Sequence, residues 1–468
     1  MEISHNKSNF RIDNKSNNKC NSIKSEDCEK KRRCLAFYNS LTNIPNFNYI
    51  KENISKIVDL IEQSEFAAIV YININDFRNV NYDLGYKFGD KLIVKVVSII
   101  EEHIKDKDML CHISTDKFGV LVRSVKNELE LAGLVYSLAQ SLEKSVTIED
   151  KSVYISASLG VSIYPRDGKD LEELIRNADT AMSFAKISGK SNYKFFESSM
   201  RKQILERVEL EKELREAVEN KEFIIFYQPK INISTGELEG AEALVRWIHP
   251  TKGIISPTVF IKLAEEVGII EKIGEIVIKT VCLQNKKWQE EGYKKLAIAV
   301  NLSVDQLKNN SVINLIKKIL NDTELESKWL EIEITESIIM EDFRYYKKML
   351  NKIRDLGIKV YLDDFGTGYS SLSYLKDIPI DYIKIDKSFI DDITEDKRQS
   401  AIVSALIQLA HGIDLKVVAE GVEEHSQLKI LREYNCDLVQ GYIFSKPVSK
   451  EDFEKMLKSN NQLVHKLR

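Results

Sequence analysis

Leu296-Ala297-Ile298-Ala299-Val300 ends at Asn301, and Val360-Tyr361-Leu362 ends at Asp363-Asp364. Each is a short apolar run that reads as a buried strand and stops on a group able to hold a cation or a water. The rhythm recurs on both sides. Strands are expected at 223–229, 238–247, 296–302, 330–335, 360–364, 382–385, 417–420 and 438–443. Helical patterns follow most of them, as at 257–267, 312–320, 345–356 and 400–411. Eight strands with intervening helices over roughly 240 residues have the length and order of a (β/α)8-type barrel.

In such a barrel the active site collects at the C-terminal ends of the strands. The polar residues there are Asn301, Asp363, Asp364, Glu420 and Gln440, with Lys384 after Tyr382-Ile383. Glu331, Glu333 and Glu336 stud the strand at 330–335, and Glu242 lies amid Ala241, Ala243 and Leu244. A buried carboxylate is costly unless it is paired, protonated or bound to metal. Any one of these alone reads more readily as a structural salt bridge or a strand-end cap; seven strands repeating the pattern shift the balance toward a site. Carboxylates, one Asn and one Lys suit hard divalent cations such as Mg²⁺ or Mn²⁺, and no Cys/His set for zinc accompanies them. Two such ions can activate water and stabilise both oxygens of an in-line phosphodiester displacement. Lys384 would orient the water or neutralise charge, and Arg246 would offer its fork to phosphate.

The 468-residue chain is long enough for two or three domains. Its 43% apolar and 30% charged residues are those of a globular protein. With 68 Lys+Arg against 72 Asp+Glu, no basic field argues for duplex nucleic acid. No run approaches the ~20 apolar residues of a membrane span, and the N-terminus lacks the apolar core of a signal peptide, so a cytoplasmic protein with no integral membrane segment is expected. Residues 1–35 are rich in Asn, Lys and Ser and read as a disordered polar tail. Six cysteines form no paired metal motif, and free thiols are expected.

Residues 36–197 alternate between strands (67–72, 120–122, 154–163) and helices (91–103, 171–185), an α/β domain of ordinary size. Residues 198–220 read as a charged amphipathic linker helix, with the barrel domain at 221–465.

Glu242-Ala243-Leu244-Val245-Arg246-Trp247, Asn301-Leu302-Ser303, Glu333-Ile334-Thr335-Glu336, the run from Asp363-Asp364-Phe365-Gly366 to Leu372, Lys384-Ile385-Asp386, Ala419-Glu420-Gly421-Val422-Glu423 and Gln440-Gly441-Tyr442 resemble, in order, the EAL family of cyclic di-GMP phosphodiesterases. The resemblance covers about 203–460 and implies a modified TIM barrel in which two Mg²⁺ or Mn²⁺ ions cut cyclic di-GMP to linear pGpG. It implies Glu242, Asn301, Glu333 and Asp363 as ligands of one ion, Asp363 as the bridge, and Asp364 and Glu420 as ligands of the other. Lys384 would hold the attacking water, with Glu420 as ligand or base. Gln228, Leu244, Arg246 and Gln440 match substrate-contacting positions, and Glu336 would anchor the 363–372 loop, which the family couples to a homodimer.

The preceding domain resembles the GGDEF family of diguanylate cyclases, a nucleotide-cyclase-like α/β fold, through Leu41-Thr42-Asn43-Ile44-Pro45-Asn46 and Ala178-Asp179-Thr180-Ala181-Met182. Its central turn is Ser114-Thr115-Asp116-Lys117-Phe118, where the family has Gly-Gly-Asp-Glu-Phe. Lys117 stands where a metal-binding Glu would be, and Asn73 where an Asp would be, so cyclase chemistry is not expected. Asn81 with Asp90 matches the guanine-reading pair, Phe77 is retained, and Lys186 and Lys190 match triphosphate contacts; GTP as an allosteric effector is the regulatory expectation. Lys105 and Asp108 stand at the family's product-inhibition motif without its Arg. A receptor that holds cyclic di-GMP without cutting it, and a bifunctional cyclase and phosphodiesterase, are the competing readings.

Overall fold

β1 (Ala67–Ile74) is buried along all eight residues, so it takes the centre of a sheet. Its neighbours are β3 (Lys117–Val122) and β6 (Ala157–Tyr164), both antiparallel to it. β2 (Met109–Ser114) pairs outside β3, and β7 (Tyr193–Phe195) runs parallel to β6, giving the order β2-β3-β1-β6-β7. The expected strand at 154–163 is instead two. β5 (Lys151–Ile155) pairs with β4 (Lys144–Ile148) in a separate ribbon, and Ser156 separates it from β6. One face of the sheet packs Val70, Ile72 and Ile74 against α1 (Tyr86–Glu101) and α2 (Glu128–Ser141). The other packs Ile69 and Tyr71 against α3 (Leu171–Ser188). α3 lies so close that a Cβ at Gly160 would stand 2.0 Å from Ala178 O.

The computed structural model describes residues 36–53, 57, 59, 61, 66–188, 193–308, 311–336, 342–366 and 375–458. The N-terminal tail with Cys20, Cys28 and Cys34, Lys190 and the 367–372 part of the loop lie outside the described residues. Contacts divide the chain between Val208 and Glu209. That point falls inside α4 (Ser198–Asn220), which is a continuous helix. Leu214 and Ala217 of α4 belong to the second unit's core.

The second unit is a closed barrel. Around the ring run β8 (Phe223–Asn232), β9 (Leu238–His249), β11 (Ala297–Asn301), β12 (Leu330–Thr335), β13 (Lys359–Phe365), β14 (Tyr382–Ile385), β15 (Lys416–Ala419) and β16 (Leu438–Val439), which returns to β8. β10 (Gly253–Ile255) extends β9 outside the ring. The sequence rhythm predicts strands in one direction joined by helices; the first strand departs from it. β8 is antiparallel to both β9 and β16 and connects to β9 by a tight turn. The Asn232 side chain accepts the N–H groups of Ser234 and Thr235, both at 3.0 Å, and Gly236 supplies φ 75°, so the chain reverses before a helix can start. β9 runs past the ring's edge, and its extension pairs with Phe223–Phe226 as a ribbon above the mouth.

Strand alternation sorts the barrel interior into layers. Tyr361, Tyr382, Val418 and Leu438 form a buried cluster in the lower layer, with the two tyrosine rings stacked at 4.2 Å. Two residues further along their strands stand Asp363, Lys384, Glu420 and Gln440. Cys111, Cys282 and Cys436 are buried free thiols. Among the described residues no helix is long and apolar enough to cross a membrane.

Candidate active site

The upper layer of the barrel is polar because each strand contributes one side chain there. Lys384 lies within β14, inside the expected strand, is 1% exposed, and points into the ring. Its ammonium stands 2.6 Å from Glu333 Oε2, 3.1 Å from Asp363 Oδ2, 2.5 Å from Glu420 Oε1 and 3.5 Å from Glu242 Oε2. Asn301 donates to Glu242 Oε1 at 2.7 Å, and Gln440 donates to Glu242 Oε2 at 2.7 Å and to Gln228 Oε1 at 2.9 Å. Asp364 sits on the exposed rim, because a bulge in β13 between Leu362 and Phe365 turns the chain at Asp364, φ 55°, and sends the paired carboxylates apart.

Burial and mutual repulsion set the electrostatics. Desolvation raises the Glu242 carboxyl, and the Glu333 charge beside it adds to the shift. Burial likewise pushes Glu420 up to about 8, against the pull of Lys384. Glu333 moves the other way. Burial opposes its charge, but the ammoniums of Lys230 and Lys384 more than reverse this and hold it at about 2. Burial would lower Lys384; the carboxylates around it carry it well above the ordinary lysine range.

Gln228, Leu244 and Arg246 rise from this layer along the β8–β9 ribbon, with Gln228 opposite Glu242. Leu244 and Arg246 are half-buried at the mouth, and the Arg246 guanidinium lies 5.6 Å from the Phe226 ring centroid. Glu336, at the end of β12, accepts the N–H of Gly366 at 3.2 Å, where the 363–372 loop leaves β13. The expected residues thus stand on one mouth. Sequence reasoning missed Lys230. It follows Pro229 in β8 and shares the interior face with Gln228 two residues before it, a period-two signal that only a strand of known inner face makes readable.

Among the described residues no three His, Cys, Asp or Glu side chains already form a metal cage. The ammonium of Lys384 stands in their midst. The donor set nevertheless fits a hard divalent cation. Its donors are oxygens, from the buried Glu242, Glu333 and Asp363 to the exposed Asn301 and Asp364 at the rim, and Gln440 Oε1 is buried beside them without a hydrogen-bond partner. Glu242, Asn301, Glu333, Asp363, Asp364 and Glu420 are the side chains able to supply it.

In the first unit the turn of Ser114–Phe118 is the two-residue connection between β2 and β3. Asn73, opposite Lys117 in the register, donates to Asp116 Oδ2 at 3.2 Å and accepts from Lys186 Nζ at 3.2 Å. The Lys117 ammonium lies 3.5 Å from Asp179 Oδ1 and over the Tyr71 ring. Asn81 packs on Gly89, beside the exposed Asp90; a Cβ at Gly89 would stand 1.9 Å from Asn81 Oδ1. Phe77, expected among the nucleotide-binding residues, is 4% exposed and packs in the core. Asp108 accepts the backbone N–H groups of Lys105, Arg123 and Ser124 and the Ser124 hydroxyl at 2.8–2.9 Å. Its carboxylate pins the strand end and is spent on the chain itself.

A closed barrel with one reversed strand, gathering acidic side chains around a buried lysine and preceded by a five-stranded α/β domain, defines the class. The EAL domain family model matches residues 211–447, and the model of the diguanylate cyclase GGDEF domain matches 36–192. The chain belongs to the EAL domain family and carries its GGDEF domain ahead of the EAL domain. It is 36% identical to signaling protein YkoW of Bacillus subtilis over 436 residues, 93% of this chain and 54% of that protein. It is 35% identical over 428 residues to cyclic di-GMP phosphodiesterase NbdA of Pseudomonas aeruginosa, 91% of this chain and 54% of that one. The chain therefore spans about half the length of these relatives. A solved structure described as PaMucR phosphodiesterase, c-di-GMP complex, covers 52% of this chain and 99% of its own at 39% identity and TM-score 0.51.

Proposed function

We propose that the barrel is a cyclic di-GMP phosphodiesterase that yields linear pGpG, using two Mg²⁺ or Mn²⁺ ions. The observation that carries the reading is the charge of the upper barrel. Glu242, Glu333, Asp363 and Glu420 crowd the single ammonium of Lys384, and the surplus of negative charge is what bound divalent cations would neutralise. The solved relative described as a cyclic di-GMP complex supports the choice of substrate.

Bound divalent ions would supply charge neutralisation at the phosphodiester and acidify the attacking water. Glu242, Asn301, Glu333 and Asp363 would hold one, and Asp363, Asp364 and Glu420 the other. Lys384, within reach of four carboxylates, is placed to orient the water, and Glu420 is the group beside it able to take a proton. Arg246 on the ribbon offers two donors to a phosphate, and Gln228 with Gln440 forms an amide pair for the base or sugar edge. Glu336 would hold the 363–372 loop in register through Gly366. The proposal includes a homodimer formed through the barrel, in keeping with the loop coupling that the resemblance implies.

The first domain, in this reading, makes no cyclic di-GMP. Asn73 and Lys117 replace the two anionic groups that would hold metal, and each is engaged with neighbours. Asn81, Asp90 and Lys186, the last now donating to Asn73, would contact a guanine nucleotide, with Lys190 beyond the described residues, and GTP binding would regulate the barrel.

Incubation of the purified chain with cyclic di-GMP and Mg²⁺ or Mn²⁺, with and without GTP, followed by nucleotide chromatography, tests all three parts. Formation of pGpG that Glu242→Ala abolishes is expected. Tight cyclic di-GMP binding without cleavage would replace the enzyme by a receptor, and cyclic di-GMP made from GTP would overturn the reading of the first domain.

A further inference from the structure

One buried charged group of the barrel has no part in the mechanism above. Lys230 is 1% exposed, as buried as Lys384, and lies one layer deeper. Its ammonium stands 2.7 Å from Glu333 Oε1, 3.4 Å from Glu331 Oε2 and 3.9 Å from the centroid of the Tyr361 ring. Glu333, at 0% exposure, is therefore gripped at both oxygens: Oε1 from below by Lys230, Oε2 from above by Lys384.

The two grips differ in kind. Lys384 is shared among four carboxylates, and a cation entering among them competes for the same oxygens. Among the described residues Lys230 reaches Glu333 and Glu331 alone and is walled in by the Tyr361 ring, so such a cation leaves it where it is. We propose that Lys230 is a positioning residue for the reaction: it holds Glu333 Oε1 from beneath, fixing the carboxylate so that Oε2 alone is presented to a divalent cation. The proposal rests on the reading of Glu333 as a metal ligand. Without Lys230, Glu333 Oε1 loses its donor in a buried layer, and the carboxylate is free to pivot both oxygens toward Lys384. Groups that orient a metal ligand in this way commonly change affinity or activity by about 10- to 100-fold when removed.

The bland alternative is that Lys230 only neutralises Glu331. The pair Lys230→Met/Glu331→Gln separates the two, because it removes both charges and leaves the formal charge of the barrel unchanged. Mn²⁺ affinity, from the paramagnetic resonance of free Mn²⁺, and kcat and KM for cyclic di-GMP would be measured on the full chain. The expected result is an about 10-fold weaker Mn²⁺ affinity and an about 10- to 100-fold lower kcat, with KM within about threefold. Glu331→Gln alone keeps Lys230 on Glu333 and should stay within about threefold of the parent in every quantity. If the double variant binds Mn²⁺ and turns over like the parent, Lys230 serves Glu331 alone and the proposal falls. Should the Gln version not fold, Lys230→Met/Glu331→Leu makes the layer apolar, a replacement that buried ion pairs tolerate, and is judged by the same criteria. A parent that neither binds Mn²⁺ nor cleaves would overturn the phosphodiesterase reading itself, a failure distinct from an active parent with an unaffected double variant.

Discussion

Lys384 stands among the oxygens a divalent cation would need, so removing it has two opposite effects. Lys384→Met should lower turnover about 100-fold or more, the usual loss when a proton-handling or water-orienting group goes. Mn²⁺ should bind at least as tightly as in the parent, because a competing positive charge has left Glu333, Asp363 and Glu420. Rate assays and a Mn²⁺ titration on the same sample check both signs. Asp108 offers the contrasting case of a residue at a ligand-binding position that serves the fold. Asp108→Ala leaves three backbone donors and the Ser124 hydroxyl without an acceptor and should destabilise the first domain by about 3 kcal/mol, read by denaturant unfolding. At this scale the acidic residues of the mouth were legible as a set, since one carboxylate ending an apolar run reads as an ion pair or cap but the same ending repeated strand after strand does not. Lys230 was not. A lysine two residues from a strand's polar end reads as solvated, and only ring closure puts that face indoors.

The strands themselves were legible as apolar runs, and those of the barrel begin and end within a few residues of expectation. The directions were not, because a run of buried residues carries no arrow. The reversal of β8 is written only in Asn232 and Gly236, which close the turn with side-chain and left-handed backbone geometry. The split at Ser156 was hidden for a similar reason: β5 and β6 form one continuous β-like pattern, and only their different partners separate them. The bulge of β13 bears on function. Gly366 leaves it at φ 97°, and a Cβ there would stand 2.9 Å from the Phe389 ring. Gly366→Ala should cost about 1–3 kcal/mol of strain and displace the backbone N–H that Glu336 accepts. The expected consequence is an about 10- to 100-fold fall in kcat, read by steady-state rate assays, since a misplaced loop shifts the groups that position substrate.

For the whole molecule, the two-part organisation was legible in motif order alone, whereas closure of the ring required β16, two residues long, to find β8 more than 200 residues away in sequence. The closed ring concentrates negative charge in its upper layers, so an added divalent cation should stabilise the barrel by mass action. At about 100 times its Kd a single bound ion adds about 2.7 kcal/mol. Thermal unfolding of the full chain should therefore show one transition that rises with Mn²⁺ and returns with EDTA, while a transition belonging to the first domain, with Asn73 and Lys117 at its turn, stays in place. A shift of both transitions would contradict that assignment. In a barrel of eight like-directed strands the chain arrives at the closed floor. Here α4 leads into the reversed β8 at its Phe223 end, opposite Trp247, whose indole donates to Glu222 at 2.9 Å. The doorstep of the barrel is thus also its doorway, since the helix joins the ring at the rim that carries the candidate site and not at the floor beneath it.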